Sequence, residues 1–242
     1  MNIAKLVIEK VNWIKKVLKE ANANGVVLGM SGGKDSALVG ILAKMATDNV
    51  TGIIMPCQAK RNFYEDREHA ILLNDKYGIK TLEVDLTSIK EAFSNLLEPL
   101  DFSQLPMAYA NINPRLRMIT LYNYAQRKGY LVAGTGNLSE MTMGYFTKWG
   151  DGAFDFNPIA DMTATEVLEM LRYLDCPKEI IDKPPSAALF EGQTDEEDMG
   201  IKYVDLDRYI KTGQGSLETK EKVERAKRLT EHKRKMGRIY PD

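Results

Sequence analysis

Six consecutive residues carry the densest chemistry of this chain, Ser31-Gly32-Gly33-Lys34-Asp35-Ser36. Two adjacent glycines let backbone N–H groups approach an anion that a Cβ would hold away. Ser31 and Ser36 add hydroxyl donors, so the set suits phosphate. Asp35 works against that, because a carboxylate and a phosphate at contact range repel unless a cation lies between them. Mg2+, which takes carboxylate and phosphate oxygens together, resolves the conflict. The string is not the common P-loop: Leu28 stands where that motif has glycine, and Asp35 where it has Ser or Thr. The plainer alternative is a glycine turn with Ser36 as a helix cap.

The flanking elements weigh against that alternative. Gly25–Gly29 reads as a short buried strand and Ala37–Met45 as a helix, so the loop opens onto a helix N-terminus, whose positive potential favours anions. Further strands are expected at Val50–Met55, stopped by Pro56, at Leu82–Leu86 and at Tyr130–Ala133. Ile3, Leu6, Val7, Ile14, Val17 and Leu18 recur at helical spacing. Helices are also expected at His69–Tyr77, Glu91–Leu97, Leu116–Arg127, Thr163–Leu174 and Leu217–Lys235, the first and third closed by Gly78 and Gly129. Gln58–Asp66 reads as a polar loop, Asp101–Pro114 as a connection and Pro184–Glu197 as irregular. Strands alternating with helices imply an α/β fold: a doubly wound, mostly parallel five-stranded sheet with helices on both faces. One domain over residues 1–242 is expected. In such sheets ligands bind beyond the carboxyl ends of the strands, here the loops after Gly29, Met55 and Ala133.

Bulk properties exclude other classes. With 33 Lys+Arg against 34 Asp+Glu the net charge is −1, which gives no electrostatic reason to bind nucleic acid or an anionic membrane. Cys57 and Cys176 form no Cys-x-x-Cys pair, which argues against a zinc ribbon or a dithiol redox site. The first twenty residues lack the continuous apolar core of a secretory signal, and no apolar run is long enough to cross a bilayer, so a cytoplasmic protein is expected.

The string Ser-Gly-Gly-x-Asp-Ser at 31–36 resembles the pyrophosphate-binding loop of the ATP pyrophosphatases, an adenine nucleotide α-hydrolase-like superfamily. Gly134–Glu140, Gly144–Gly152, Asp155, Asn157 and Pro158 narrow the resemblance to NAD synthetase in its short, ammonia-dependent form. Asn111–Arg117, Pro185–Ala187, Gly192–Glu196 and His232–Arg234 extend it along nearly the whole chain. The resemblance implies that the carboxylate of deamido-NAD attacks the α-phosphorus of ATP, the co-substrate. Pyrophosphate then leaves, and ammonia converts the acyl-adenylate to NAD and AMP. It implies Mg2+ held by Asp35 and Glu140, and ATP held by Gly29, Met30, Ser31, Gly32, Gly33, Lys34, Asp35, Ser36, Thr135, Ala164 and Ser186. Deamido-NAD would meet Arg115, Lys148, Asp155, His232 and Lys233. Asp35, Glu140 and Asp151 would be catalytic, Asp151 by handling the ammonium proton. A homodimer is implied, and neither nucleic acid nor membrane is expected as a partner.

Three positions depart from the family pattern. Ala164 stands where the family carries a lysine that touches ATP phosphates, and Lys34 stands where it carries an uncharged residue, so Lys34 is expected to supply the missing charge. Ala188 replaces a common aspartate. The pattern fills the chain and leaves no room for a glutaminase domain. Two other functions use the same loop: an ATP-dependent tRNA-modifying enzyme, and a non-catalytic ATP- or NAD-binding protein. Net charge and the lack of a cysteine pair count against the first, and retention of both Asp35 and Glu140 against the second.

Overall fold

The structure, a computed structural model, describes residues 2–57, 60–97, 106–183, 195–237 and 239–240. Helix α1 (Ile3–Glu20) buries Val7, Val11, Ile14 and Leu18, the stripe its spacing predicts, and Asn2 caps it by accepting the Lys5 N–H. Strand β1 (Gly25–Gly29) feeds α2 (Lys34–Ala46), and β2 (Val50–Ile54) feeds α3 (Lys60–Tyr77). Strand β3 (Lys80–Glu83) precedes α4 (Thr87–Leu97), and α5 (Pro106–Ala110) and α6 (Ile112–Lys128) precede β4 (Tyr130–Val132). The remainder is helical: α7 (Leu138–Met143), α8 (Ala164–Tyr173), α9 (Lys178–Ile181), α10 (Asp195–Met199), α11 (Tyr203–Thr212) and α12 (Leu217–Arg234).

The sheet is parallel with strand order β3-β2-β1-β4, and Val26 pairs with Val50 on one side and Leu131 on the other. Side chains alternate across it. Val26 and Leu28 join the core formed with α1, α2 and α8, while Val27, Ile53 and Val132 join the one beneath α6. A third apolar cluster, around Met143, Leu206 and Val223, ties α7, α11 and α12 together. Because β2 and β3 step away from β1 on one side and β4 lies on the other, the chain reverses direction at β1/β4. The carboxyl ends of those two strands open the crevice where such sheets bind ligands.

Several expectations need correction. Among the described residues the sheet has four strands, not five; the fifth is reduced to one parallel bridge, Ala133 with Phe156. Gly134 N–H donates to Phe156 O at 2.8 Å, but Pro158 follows two residues later and has no N–H with which to extend a ladder. The stretch read as a loop at Gln58–Asp66 is helical from Lys60, consistent with the absence of glycine and proline between Lys60 and Tyr77; residues 58 and 59 lie outside the described residues. The connection expected at Asp101–Pro114 contains α5 and the start of α6. Pro106 and Pro114 lie in first turns, where the missing N–H has no intrahelical partner to lose. Strand β3 begins two residues earlier than expected, and its pairing trails on irregularly as Val84 and Leu86 donate to Ile54 O and Pro56 O. Asp195–Met199, expected to be partly irregular, is a short helix, and α11 was not anticipated.

Candidate active site

Strand β1 delivers the chain to the loop with its pairing intact: the Met30 N–H donates to Ile53 O at 2.9 Å. The Met30 side chain is buried against Gly52, so only its backbone borders the loop. Gly32 sits at φ +66°, a left-handed conformation that a Cβ would strain. Gly33 then serves as the N-cap of α2 with no side-chain cap of its own. The Ser36 hydroxyl, 2 % exposed, donates to Gly33 O at 3.0 Å and lies 3.1 Å from Ser31 Oγ. The Gly33 N–H points to Ser31 Oγ at 3.4 Å. Two hydroxyls, this N–H and the N-terminus of α2 thus converge, an arrangement suited to an anion. Lys34, in the first turn of α2, is half-buried. Burial lowers its ammonium pKa, while Asp35 and Asp182 pull it back up and Arg172 adds to the lowering.

On the other side of the crevice, the chain leaving β4 turns through half-buried Thr135 and Gly136 into α7. Asn137 and Glu140 form a capping box: Asn137 Oδ1 accepts the Glu140 N–H and Glu140 Oε2 accepts the Asn137 N–H, each at 3.0 Å. Asn137 Nδ2 then donates across the crevice to Asp35 Oδ1 at 3.2 Å. Asp35 and Glu140, 105 positions apart in sequence (140 − 35), are brought close enough for the charge of Asp35 to raise the Glu140 carboxyl. Burial is the main cause in both, lifting Asp35 to about 6 and Glu140 well above its usual range; the nearby charge of Asp195 adds to both. Among the described residues no ion pair reaches either group. Two desolvated carboxylates that repel one another form a donor set suited to a hard divalent cation.

A buried acid fixes this half of the crevice. Asp207 of α11, 5 % exposed, accepts the Ser139 hydroxyl at 2.5 Å on one oxygen. Its other oxygen accepts the Thr165 N–H at 2.8 Å and the Thr165 hydroxyl at 2.6 Å. Ser139 Oγ in turn accepts the Ala164 N–H at 3.1 Å. One carboxylate therefore ties α7, which carries Glu140, to the N-terminus of α8, where it also meets the positive end of that helix.

The residues expected to hold the second nucleotide surround the loop 144–152. Lys233 Nζ donates to Gly144 O at 2.8 Å and Phe146 O at 2.9 Å, and Arg234 reaches Met141 O at 3.0 Å. Lys148 Nζ donates to His232 O at 2.5 Å, and Arg115 of α6 to Lys148 O at 3.4 Å. Asp151 Oδ1 accepts the Thr147 N–H at 2.9 Å. The C-terminal end of α12 thus clasps the loop through its backbone. Gly144, at φ +66°, lies so close that a Cβ there would sit 2.3 Å from Thr230. Trp149 holds φ +61° and is 50 % exposed, an outlier for a bulky residue at the exposed tip of the loop. Replacing Lys233 by Met is expected to leave two half-buried carbonyls without their donor, a loss of about 1–2 kcal/mol. The melting temperature should fall by roughly 2–8 °C, and amide exchange should rise across residues 144–152 but not in β1; thermal melts and hydrogen exchange read both.

The two oxygens of Asp155, also expected at the second nucleotide, accept the Val132 N–H at 2.7 Å and the Tyr122 hydroxyl at 3.3 Å. The charges acting on Lys34 are those of Asp35, Asp182 and Arg172, and Ala164 starts α8 with its N–H bonded to Ser139 Oγ. Ser186 and Ala188 lie outside the described residues. Sequence reasoning missed Asn137 as the bridge to Asp35, although its N-x-x-E spacing spells a capping box. It also missed Asp207, which sits in an unanticipated helix, and His69, whose Nδ1 lies 3.0 Å from Gly32 O. No helix among the described residues is long and apolar enough to cross a membrane.

This architecture has close relatives. A family model described as NAD synthase matches residues 6–237. The NH3-dependent NAD+ synthetase of Carboxydothermus hydrogenoformans is 46 % identical over 95 % of this chain and 94 % of its own. Among solved structures, the NMN synthetase of Francisella tularensis superposes with a TM-score of 0.94 at 34 % identity, covering 100 % of both chains. The NH3-dependent NAD synthetase of Campylobacter jejuni superposes with a TM-score of 0.79 at 28 % identity, covering 99 % of each.

Proposed function

Because this chain belongs to the NAD synthase family, we propose that it uses ATP and free ammonia to convert the carboxylate of deamido-NAD into the amide of NAD. The supporting observation is the approach of Asp35 and Glu140 across the β1/β4 crevice, bridged by Asn137, directly beside a glycine loop built for an anion.

A free carboxylate resists attack by ammonia and offers a poor leaving group. In the first step its oxygen bonds to the α-phosphorus of ATP as the bond to pyrophosphate breaks. In the second, the ammonia nitrogen bonds to the carbonyl carbon, AMP departs and a proton is lost. The chain's own groups position two anionic nucleotides and offset their charge. The Gly33 N–H, the Ser31 and Ser36 hydroxyls and the N-terminus of α2 face the departing pyrophosphate, and Lys34 adds a cation beside them. The loop 144–152, clasped by Lys233 and approached by Arg115, places the nicotinate end of the second substrate. Asp35 and Glu140 would hold Mg2+, which when bound neutralises charge on the phosphates.

One observation favours a second substrate. The similarity to the Francisella NMN synthetase, at a TM-score of 0.94, exceeds that to the Campylobacter NAD synthetase, at 0.79. The same chemistry applied to nicotinate mononucleotide gives NMN, and only recognition of the AMP half of the dinucleotide would differ. Purified protein with ATP, Mg2+ and ammonium is expected to release AMP and pyrophosphate one-to-one with amide, and to lose activity when EDTA removes the metal. Comparing kcat/KM for deamido-NAD and nicotinate mononucleotide decides the substrate: a tenfold or larger preference for the mononucleotide assigns the second one. Failure to amidate either acid would refute the proposal.

A further inference from the structure

We propose that His69 is a positioning residue for the phosphate loop: its Nδ1–H holds the Gly32 carbonyl and thereby aims the Gly33 N–H at the phosphates of ATP. The inference rests on the reading of that loop as the ATP site.

One peptide, linking Gly32 to Gly33, carries both groups. In a trans peptide the C=O and N–H point in opposite directions, so fixing one fixes the other. Gly32 is buried, and its carbonyl oxygen lies 3.0 Å from His69 Nδ1. On the opposite side the Gly33 N–H points to Ser31 Oγ, into the space where the Ser31 and Ser36 hydroxyls meet. A carbonyl can only accept, so Nδ1 must carry the proton.

The same two glycines that allow close approach to phosphate also make this peptide easy to flip, since neither has a Cβ to forbid the alternative. Flipped, the peptide would turn a carbonyl oxygen toward the phosphates and withdraw the N–H. Within the loop only the long contact from the Gly33 N–H to Ser31 Oγ, 3.4 Å, opposes this. His69 prevents it, and it is anchored elsewhere: it is 6 % exposed on α3, beside Ala70 and one turn before Leu73, both fully buried in the core shared with α2. The loop's orientation is therefore set by a helix 37 residues further along the chain.

Three proteins test this: wild type, His69→Leu, which keeps bulk but has no donor, and His69→Asn, whose side-chain N–H can take the place of Nδ1–H. Calorimetric titration with Mg·ATP is expected to show a Kd for His69→Leu raised on the order of tenfold, the range for a lost donor to a buried carbonyl. His69→Asn should recover most of the affinity. In turnover, KM for ATP should rise in His69→Leu while KM for the nicotinate substrate stays within about twofold. The chain has only 2 histidines, so 15N NMR of the wild type can assign His69 and should find Nδ1 protonated. An unprotonated Nδ1, an unchanged Kd in His69→Leu, or equal damage in the two variants, which would signal simple packing, each overturns the proposal. Should His69→Leu fail to fold, the NMR result on the wild type decides. Wild-type protein that binds no Mg·ATP would instead remove the reading of the site on which the proposal stands.

Discussion

Replacing Asp35 by asparagine is expected to cut turnover on the order of a thousandfold while making the metal-free protein more stable. The substituted amide preserves size and can still accept the Asn137 N–H, so any loss of activity reflects charge rather than shape. The gain in stability comes from the folded state, which holds Asp35 at about 6 through burial and, less, the nearby charge of Asp195. At neutral pH the folded protein therefore keeps an anion where its surroundings disfavour one, and the unfolded chain does not. Asp35 is partly open to solvent, which screens some of this, so the expected gain is on the order of 1 kcal/mol, or about 2–4 °C in melting temperature. Melts in EDTA should show the gain, and melts with Mg2+ and ATP should show it vanish or reverse, because only the wild type then binds ligand well. A variant less stable in EDTA and fully active would contradict both parts.

The second large effect is structural. Asp207→Ala should lower stability by about 3 kcal/mol, because it removes a buried carboxylate that accepts three hydrogen bonds and strands the Ser139 and Thr165 donors. The corresponding fall in melting temperature is roughly 6–12 °C. The damage should reach the crevice, since Ser139 precedes Glu140 in α7 and also accepts the α8 N-terminal Ala164 N–H. Metal-dependent activity should therefore fall well below the unfolding transition as well. Asp207→Asn, which keeps two acceptor directions but not the charge, should lie between the alanine variant and wild type. Equal melting temperatures for Asp207→Ala and the wild type would show that the network contributes little.

These two residues mark the limits of what the sequence discloses. Asp35 lies in a six-residue string whose glycines, hydroxyls and carboxylate state a chemical conflict, and the strand before it and helix after it follow from local apolar patterns. The parallel sheet and the crevice follow from alternation of elements. Pairing Asp35 with Glu140 came from family resemblance, because no local spacing links positions on opposite sides of a crevice. Asp207 escaped because it is a buried acid on the inner face of a short helix, where periodicity leads one to expect an apolar residue. His69 escaped because nothing near it records that α3 folds back over Gly32. The local patterns mark only four strands, so the fifth expected of the sheet had no segment assigned to it; the structure has in its place the single Ala133–Phe156 bridge, with Pro158 ending the pairing. That Lys233 bonds two backbone carbonyls depends on how α12 docks, which composition leaves open.

The proposed function requires Asp35 and Glu140 to act as one divalent-cation site. It is tested most directly by Mn2+ binding in the presence of pyrophosphate, measured by electron paramagnetic resonance for wild type, Asp35→Asn, Glu140→Gln and the double variant. If one ion is shared, either substitution should abolish most of the tight binding and the double variant should be little worse than either single one. If the two losses instead add in free energy, as they do for separate sites, or if both single variants bind Mn2+ as the wild type does, the two acids do not share an ion.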